Sequence, residues 1–185
     1  MTVQECGVGR VEVRLVEGRP AFAAPDCVRR GPASGAERDQ AVRALGIDPS
    51  RVKACQWVDN GPGWIAVEVR DLDDLHAITP VSPGRLKIGV VAMSGGDDAA
   101  YHVRAFFPVD GAMRGDPVTG SLNASVAQWL VEDGRVTPPY RVRQGRAVGA
   151  DGVAHVSATD DGRLWVGGDV RPVIRGRVVL TADAD

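Results

Sequence analysis

Alternation of apolar and polar residues predicts most of the strands in this chain. Residues 8–18 alternate Val11 and Val13 with charged side chains, which is typical of a strand with one buried face. The run LKIGVVAMS at 86–94 is almost continuously apolar and predicts a strand buried on both faces. Further strands are predicted at 20–25, 53–58, 64–69, 101–108, 140–148, 152–159, 163–170 and 172–180.

The spacing of apolar residues and capping residues predicts three helices. Ser34 is followed three residues later by Glu37, as in a capping box, and Gly46 is a typical residue after a helix C-terminus, so a helix is predicted between them. A short helix is predicted over 71–78, where acidic residues stand in the first turn. The third helix, over 121–132, is apolar and nearly uncharged, which is typical of a central position.

The order of these elements predicts an α+β fold. Strands outnumber helices and do not alternate with them as in a Rossmann unit, so we expect a strongly curved, mostly antiparallel sheet wrapped around the helix at 121–132. Residues 26–35 are rich in Pro, Gly and Arg and are predicted to be a loop. The 185 residues are enough for one domain with its own core, so residues 1–185 are expected to form a single domain.

Composition argues against several classes of function. The net charge is −2 and the arginines are scattered, whereas a nucleic-acid or anionic membrane surface needs concentrated positive charge. The chain has no apolar run of the roughly 18 residues that a transmembrane helix needs, and its N-terminus has no signal-peptide pattern, so we expect a cytoplasmic protein. Its three cysteines and three histidines lack metal-ligand spacing, so no metal site is expected.

The segment RGDPVTGSLNASVAQWL contains the strongest candidate site. Asp116 precedes a proline, which favours extended backbone, and the chain then turns into the predicted helix through Thr119, Gly120 and Ser121. The first N–H groups of a helix, here those of Thr119 to Asn123, lack internal acceptors and carry partial positive charge, so they could bind a carboxylate while Asp116 transfers a proton. Alternatively, Ser121 or Thr119 is an ordinary N-cap and Asp116 a turn residue, which is the commoner case for such spacing.

Several stretches, in order along the chain, resemble the PhzF family of isomerases. They are GVGRVEV at 7–13, WVDNGPGWIAVEV at 57–69, R-x-F-F-P at 104–108, D-P-V-T-G-S at 116–121, A-x-W-L at 127–130, YRVRQGRAVGADGVAHV at 140–156 and WVGGDVRPVIRGRVVL at 165–180. The resemblance covers nearly the whole chain. It implies the diaminopimelate epimerase-like fold, in which each of two pseudo-symmetric halves is a sheet around a helix and the active site lies between the halves.

The resemblance also implies a reaction and roles for the site residues. The family shifts a proton on a small carboxylate-bearing substrate without a metal or an organic cofactor. Asp116 matches the acid that handles the proton or orients the substrate. Thr119, Gly120 and Ser121 match the positions that bind the substrate carboxylate or another polar group. Gln144 and Gly145 either approach the cleft, where Gly145 would contact substrate, or Gly145 forms a bulge in its strand.

The resemblance is incomplete, which bears on activity and partners. The family's general acid/base glutamate and its G-H-A-T-type turn belong to the first half and are not found here, so the chain is expected to represent the C-terminal half only. Gly115 and Ala150 stand where the family has an acid and an arginine. We therefore expect an isomerase that is completed in a homodimer or by a complementary N-terminal half. The alternatives are a catalytically inactive domain that binds a small acid or a partner, and a shortened product of a full-length enzyme.

Overall fold

The computed structural model describes residues 2–7, 9–81, 84–96 and 98–177. The strands are β1 Thr2–Cys6, β2 Gly9–Val16, β3 Arg19–Ala23, β4 Arg29–Pro32, β5 Val52–Asp59, β6 Trp64–Val69, β7 Lys87–Met93, β8 Tyr101–Val109, β9 Ala112–Asp116, β10 Tyr140–Gln144, β11 Gly152–Ala158 and β12 Leu164–Gly167. The helices are α1 Gly35–Leu45, α2 Leu72–Ala77 and α3 Gly120–Glu132. Short 3-10 turns follow at Pro49–Arg51 and Arg146–Val148.

The described strands join into one mixed sheet. Its order is β1-β2-β3-β12-β11-β10-β8-β7-β6-β5-β4, and β9 pairs with β8 outside this path. The pairs β6 with β7 and β8 with β10 are parallel, whereas the other described pairs are antiparallel. The prediction of an α+β fold with a mostly antiparallel sheet is confirmed.

Helix α3 packs on one face of the sheet and forms the centre of the larger core. Leu122, Val126 and Leu130 are completely buried, as the apolar stripe of this segment predicts. Alternate residues of six strands face them: Trp64, Ala66, Val91, Tyr101, Val103, Ala105, Val142, Ala154, Val156, Leu164 and Val166. The predicted central helix at 121–132 is therefore present and begins one residue earlier, at Gly120.

Helices α1 and α2 cover the opposite face of β6, β7 and β8. The intervening residues of these strands, such as Ile65 and Val90, pack there with Leu45 of α1 and Leu75 of α2. Strands β6 and β7 are consequently buried on both faces, as the apolar run at 86–94 predicts for β7. The sheet thus has helices on both sides in this region, rather than one enclosed helix alone.

Three of the observed strands are not predicted from the sequence, and one predicted strand is not observed within the described residues. The pattern does not predict β1, and it predicts a loop where β4 pairs with β5. It also does not predict β9, which contains Gly115 and Asp116 and pairs with β8. Of the strand predicted at 172–180, residues 172–177 are not in a strand, and 178–180 lie outside the described residues.

Candidate functional site

Strands β9 and β10 meet end to end along one edge of β8. Strand β10 ends with Gln144 opposite Val103, and β9 ends with Asp116 opposite Ala105. Both must lie on the same edge, because β7 occupies the other edge of β8. Arg104 of β8 therefore stands where the two strand ends face each other.

Gln144 connects the two strand ends to the start of α3. Its buried side chain accepts hydrogen bonds at Oε1 from the Thr119 N–H, at 3.1 Å, and from Asn123 Nδ2, at 2.8 Å. Its Nε2 donates to the Asp116 carbonyl at 3.1 Å and to Thr119 Oγ1 at 2.9 Å. The sequence analysis missed this role, although Gln144 stands directly before the predicted site residue Gly145.

Thr119 links this network to the carboxylate of Asp116. Its hydroxyl donates to Asp116 Oδ2 at 2.5 Å while accepting from Gln144. Because the amide NH₂ can only donate and an ionised carboxylate can only accept, the hydroxyl hydrogen is directed at the carboxylate. Asn123 also donates to the Thr119 carbonyl at 2.9 Å, so the turn before α3 is fixed from both sides.

The first N–H groups of α3 largely match the predicted set of free donors. Those of Gly120, Ser121 and Leu122 have no acceptor within the described parts of the chain, and the Thr119 side chain does not cap the helix. The N–H groups at the two ends of the predicted set are not free. The Thr119 N–H donates to Gln144, and the Asn123 N–H donates to the Thr119 carbonyl. The positive end of α3 therefore presents its donors at 120–122.

A cavity of about 520 Å³ opens at this helix start, and Gly120 and Ser121 line it. Gly120 allows close approach, since a Cβ there would lie 3.2 Å from Phe22 Cε1. The remaining wall is mostly apolar: Gln4, Val11, Val13, Pro20, Ala21, Phe22, Pro25, Asn60 and Pro62. An apolar wall with a few convergent polar groups is typical of a small-molecule site.

Two polar side chains complete the cavity. Ser121 Oγ accepts a hydrogen bond from Trp64 Nε1 at 2.9 Å, which leaves the hydroxyl hydrogen available to a ligand. Asn60 donates through Nδ2 to the Ser121 carbonyl at 2.9 Å. Its buried Oδ1 has no hydrogen-bond partner among the residues that the structure describes. Sequence reasoning missed Asn60, because it stands in a turn distant from the helix along the chain.

Asp116 and Gly145 do not line this cavity. Both border a hollow of about 20 Å³ that also includes Arg104. Gly145 has φ +101°, and a Cβ there would lie 2.5 Å from the Pro117 carbonyl oxygen, so only glycine fits. Of the predicted site residues, Gly120 and Ser121 thus share the cavity, and Thr119 joins Asp116 to the helix start.

Other candidate chemistry is sparse in the described ranges. They contain no group of three or more His, Cys, Asp or Glu side chains that could hold a metal ion. None of the helices described is long and apolar enough to cross a membrane. The thiols of Cys6, Cys27 and Cys55 are free, and burial raises the pKa of Cys55 to about 11.

Comparison with solved structures finds the same fold at low sequence identity. A phenazine biosynthesis protein of the PhzF family from Bacillus anthracis has a TM-score of 0.68 and 14% identity, with 90% of this chain and 64% of that chain covered. A PhzF family protein from Enterococcus faecalis gives 0.65 and 19%, with 96% and 64% covered. A Pseudomonas aeruginosa protein called a predicted epimerase gives 0.65 and 16%, with 97% and 62% covered.

These coverages correct one expectation. The chain spans just under two thirds of the length of these structures, so the expectation that it represents only a C-terminal half is not borne out.

No curated protein matches the chain. A protein-family comparison, however, matches residues 2–182 to PhzC-PhzF, the phenazine biosynthesis-like proteins. The chain therefore belongs to the PhzC-PhzF family of phenazine biosynthesis-like proteins.

Proposed function

We propose that the start of α3 is the carboxylate-binding part of an isomerase site. The site would catalyse a cofactor-independent proton shift on a small carboxylate-bearing metabolite. The observation that carries this proposal is the pair of N–H donors at Gly120 and Ser121, which have no acceptor in the described chain and belong to residues that line a cavity of about 520 Å³. One similar structure is called a predicted epimerase, and epimerisation at carbon is also a proton transfer.

The helix start provides what such a substrate needs for binding. The two N–H groups and the Ser121 hydroxyl can donate to one carboxylate, and the partial positive charge of the helix end favours the anion. When a proton leaves the adjacent carbon, negative charge develops toward this carboxylate, and fixed donors stabilise it without reorganisation. The apolar wall around Phe22 lowers the local dielectric constant, which strengthens these interactions.

Asp116 is the proposed proton-handling acid. Its Oδ2 is held by the Thr119 hydroxyl, so Oδ1 is the oxygen that remains to accept or return a proton. Because Asp116 borders the hollow beside Arg104, the proposal requires a substrate that extends from Gly120 past Thr119 toward this carboxylate. Gly145 supports the arrangement by allowing the Pro117 carbonyl to approach closely.

We also propose that residues 1–185 act as one domain that associates, either with a second copy or with a complementary chain. The apolar cavity wall continues to Leu15, which is 70% exposed, and the edge strand β1 is exposed along its length. Exposed apolar surface of this kind is commonly covered by a partner. Light scattering after size-exclusion chromatography should give a mass near twice 19.5 kDa. A monomer at high concentration, with no added chain binding, would contradict association.

A catalytically inactive small-acid-binding domain is the second candidate. The observation that favours it is the cavity wall itself, because no Asp, Glu, His, Cys or Lys side chain is among its described residues. Such a domain would bind carboxylates at Gly120 and Ser121 without moving a proton. Binding and proton exchange therefore have to be measured separately.

Deuterium exchange tests the isomerase without knowledge of its product. A panel of small carboxylic acids is incubated in D₂O with the chain, alone and with any partner that co-purifies, and followed by proton NMR. We expect loss of the signal next to the carboxylate for at least one acid. Asp116→Asn should abolish exchange while binding persists, and Ser121→Ala should weaken binding by about ten-fold.

Asp110→Asn is the matched control, since Asp110 is exposed in the turn between β8 and β9 and its left-handed backbone suits asparagine. This variant should exchange at the wild-type rate. Carboxylate binding with no exchange in any combination would favour the inactive binding domain. Exchange that survives Asp116→Asn would remove Asp116 from the mechanism.

A further inference from the structure

A second cavity, of about 370 Å³, lies on the face of the sheet opposite α3. We call it the cationic cavity. Its lining is Leu75, His76, His102, Val103, Arg104, Arg143, Gln144, Gly145, Arg146, Ala147, Ala150 and Asp151. The alternation of strand side chains places His102 and Arg104 here, since Tyr101 and Val103 on either side of His102 belong to the α3 core.

Positive charge dominates this lining, which contains three arginines and one carboxylate. Arg143 is neutralised, because it pairs with Asp98 at 2.9 and 3.0 Å and with Asp151 at 2.9 Å. Arg104 and Arg146 form no ion pair with any carboxylate that the structure describes. The cavity thus retains two guanidinium charges beside two imidazoles.

Arg104 is held in place by backbone groups instead of an acid. Its Nη1 donates to the carbonyls of Leu75, at 2.9 Å, and Ile78, at 2.8 Å, at the end of α2. These bonds fix the guanidinium but use only one of its nitrogens, so Nε and Nη2 remain as donors. A fixed guanidinium with free donors is well suited to bind an oxyanion.

The histidines reflect the same excess of positive charge. The rings of His76 and His102 lie edge to face, with centroids 5.8 Å apart. Burial lowers the pKa of His76, and the nearby charges of His102, Arg146 and Arg104 lower it further. A bound anion would offset these charges, so the His76 imidazole is expected to respond to its binding.

We propose that the cationic cavity binds the phosphate group of a small metabolite. The guanidinium groups of Arg104 and Arg146 supply more donors than one carboxylate can accept, whereas a phosphate has three acceptor oxygens and up to two charges. The volume lies within the roughly 300–1,000 Å³ of small-molecule sites. The cationic cavity adjoins the hollow at Asp116, since Arg104, Gly145 and Ala147 line both, but it contains neither Gly120 nor Ser121, and its phosphate binding does not require the proposed isomerase activity.

Calorimetry and NMR with inorganic phosphate test this proposal on the full chain. At constant ionic strength, phosphate should bind and shift the ring nitrogen signals of His76 and His102, while those of His155 stay unchanged. Arg146→Gln should weaken phosphate binding by about ten-fold, the usual effect of losing one charge-assisted hydrogen bond. Arg146 is exposed, so the variant should keep the wild-type circular dichroism spectrum.

Arg43→Gln, on α1, is the matched control and should bind phosphate like the wild type. Equal affinity of the two variants would overturn the proposal, as would shifts confined to His155. Acetate binding as tightly as phosphate would overturn the assignment to phosphate. The histidine shifts in the wild-type chain keep the test decisive even if Arg146→Gln loses its fold.

Discussion

Gln144 and Thr119 form two hydrogen bonds that run in opposite directions. The Thr119 N–H donates to Gln144 Oε1 at 3.1 Å, and Gln144 Nε2 donates to Thr119 Oγ1 at 2.9 Å. Since the same hydroxyl donates to Asp116, one amide side chain orients both the helix start and the carboxylate. Gln144 is therefore a positioning residue for the candidate site.

Replacing Gln144 with leucine should destabilise the fold by about 2–3 kcal/mol, because buried donors of Thr119 and Asn123 lose their acceptor. Urea unfolding followed by circular dichroism measures this. Gln40→Leu on α1 is the control and should change the free energy of unfolding by less than about 0.5 kcal/mol. An equal effect of both variants would show that Gln144 has no special role.

Gly89 of β7 should not tolerate a larger side chain. A Cβ at Gly89 would lie 2.4 Å from Leu122 Cδ1 of the buried helix α3, so Gly89→Ala should cost about 2 kcal/mol through overpacking. Thermal unfolding measures the loss. Gly35→Ala is the control, because a Cβ at Gly35 meets nothing within 4 Å, and it should be neutral or slightly stabilising.

A double-mutant cycle isolates this contact. Leu122→Ala alone leaves a cavity and should cost about 3 kcal/mol. Combined with Gly89→Ala, it should cost less than the sum of the two single changes, since the new methyl group occupies space that the leucine has left. Strict additivity would contradict a direct contact between these two positions.

The N-terminal cap of α1 should make stability depend on pH in acid. A hydrogen bond from the Ser34 N–H lowers the pKa of Glu37 from its ordinary value of 4.5 to about 2. A folded-state pKa below the unfolded value stabilises the protein above pH 4.5, and this contribution is lost as the pH falls through about 2. Urea midpoints of the wild type and Glu37→Gln should therefore converge between these pH values.

Ser34→Ala removes the serine hydroxyl from this cap and leaves the backbone N–H of residue 34 in place. It removes the serine hydroxyl that accepts from the Glu37 N–H, which should cost about 1 kcal/mol. It keeps the backbone N–H that holds the Glu37 carboxylate, so the acid-dependent loss of stability should persist. A pH-independent midpoint in Ser34→Ala would contradict the backbone bond as the main cause.

The cysteines should differ in reactivity. Burial raises the pKa of Cys55 to about 11, whereas Cys6 is exposed. Because the thiolate is the nucleophile, iodoacetamide at pH 8 should alkylate Cys6 well before Cys55, as peptide mass spectrometry can measure. In denaturing urea the two should react at similar rates. Faster labelling of Cys55 in the folded chain would contradict its burial.

Helix α1 could be predicted from the sequence almost to the residue, because the signals at both of its ends are local. Ser34 and Glu37 form the capping box within one turn, and Gly46 adopts the left-handed conformation that ends the helix. The same holds for β6, whose predicted range of 64–69 is the observed one. In such elements, local preference and tertiary packing agree.

The strands that the sequence pattern does not predict form by pairing with neighbouring strands of the sheet. Gly31 and Pro32 are poor strand formers, yet β4 exists because it adds to the edge of β5, where proline is tolerated. Strand β9 likewise forms on β8, and it places Asp116 at the hollow beside Arg104 instead of on the cavity wall. Asp116 was a candidate acid from its position before the helix and from the family resemblance, whereas its surroundings depend on this unpredicted strand.

Because β9 and β10 both pair with β8, the order in which these strands are synthesised sets the order in which the candidate site forms. Asp116 and all of α3 leave the ribosome before Gln144, so in a nascent chain the Thr119 N–H and Asn123 Nδ2 still lack the acceptor that Gln144 provides. The turn before the helix becomes rigid when β10 is added. The cavity wall, whose residues all precede Gln144, is therefore synthesised before the amide that fixes the orientation of Thr119 and Asp116.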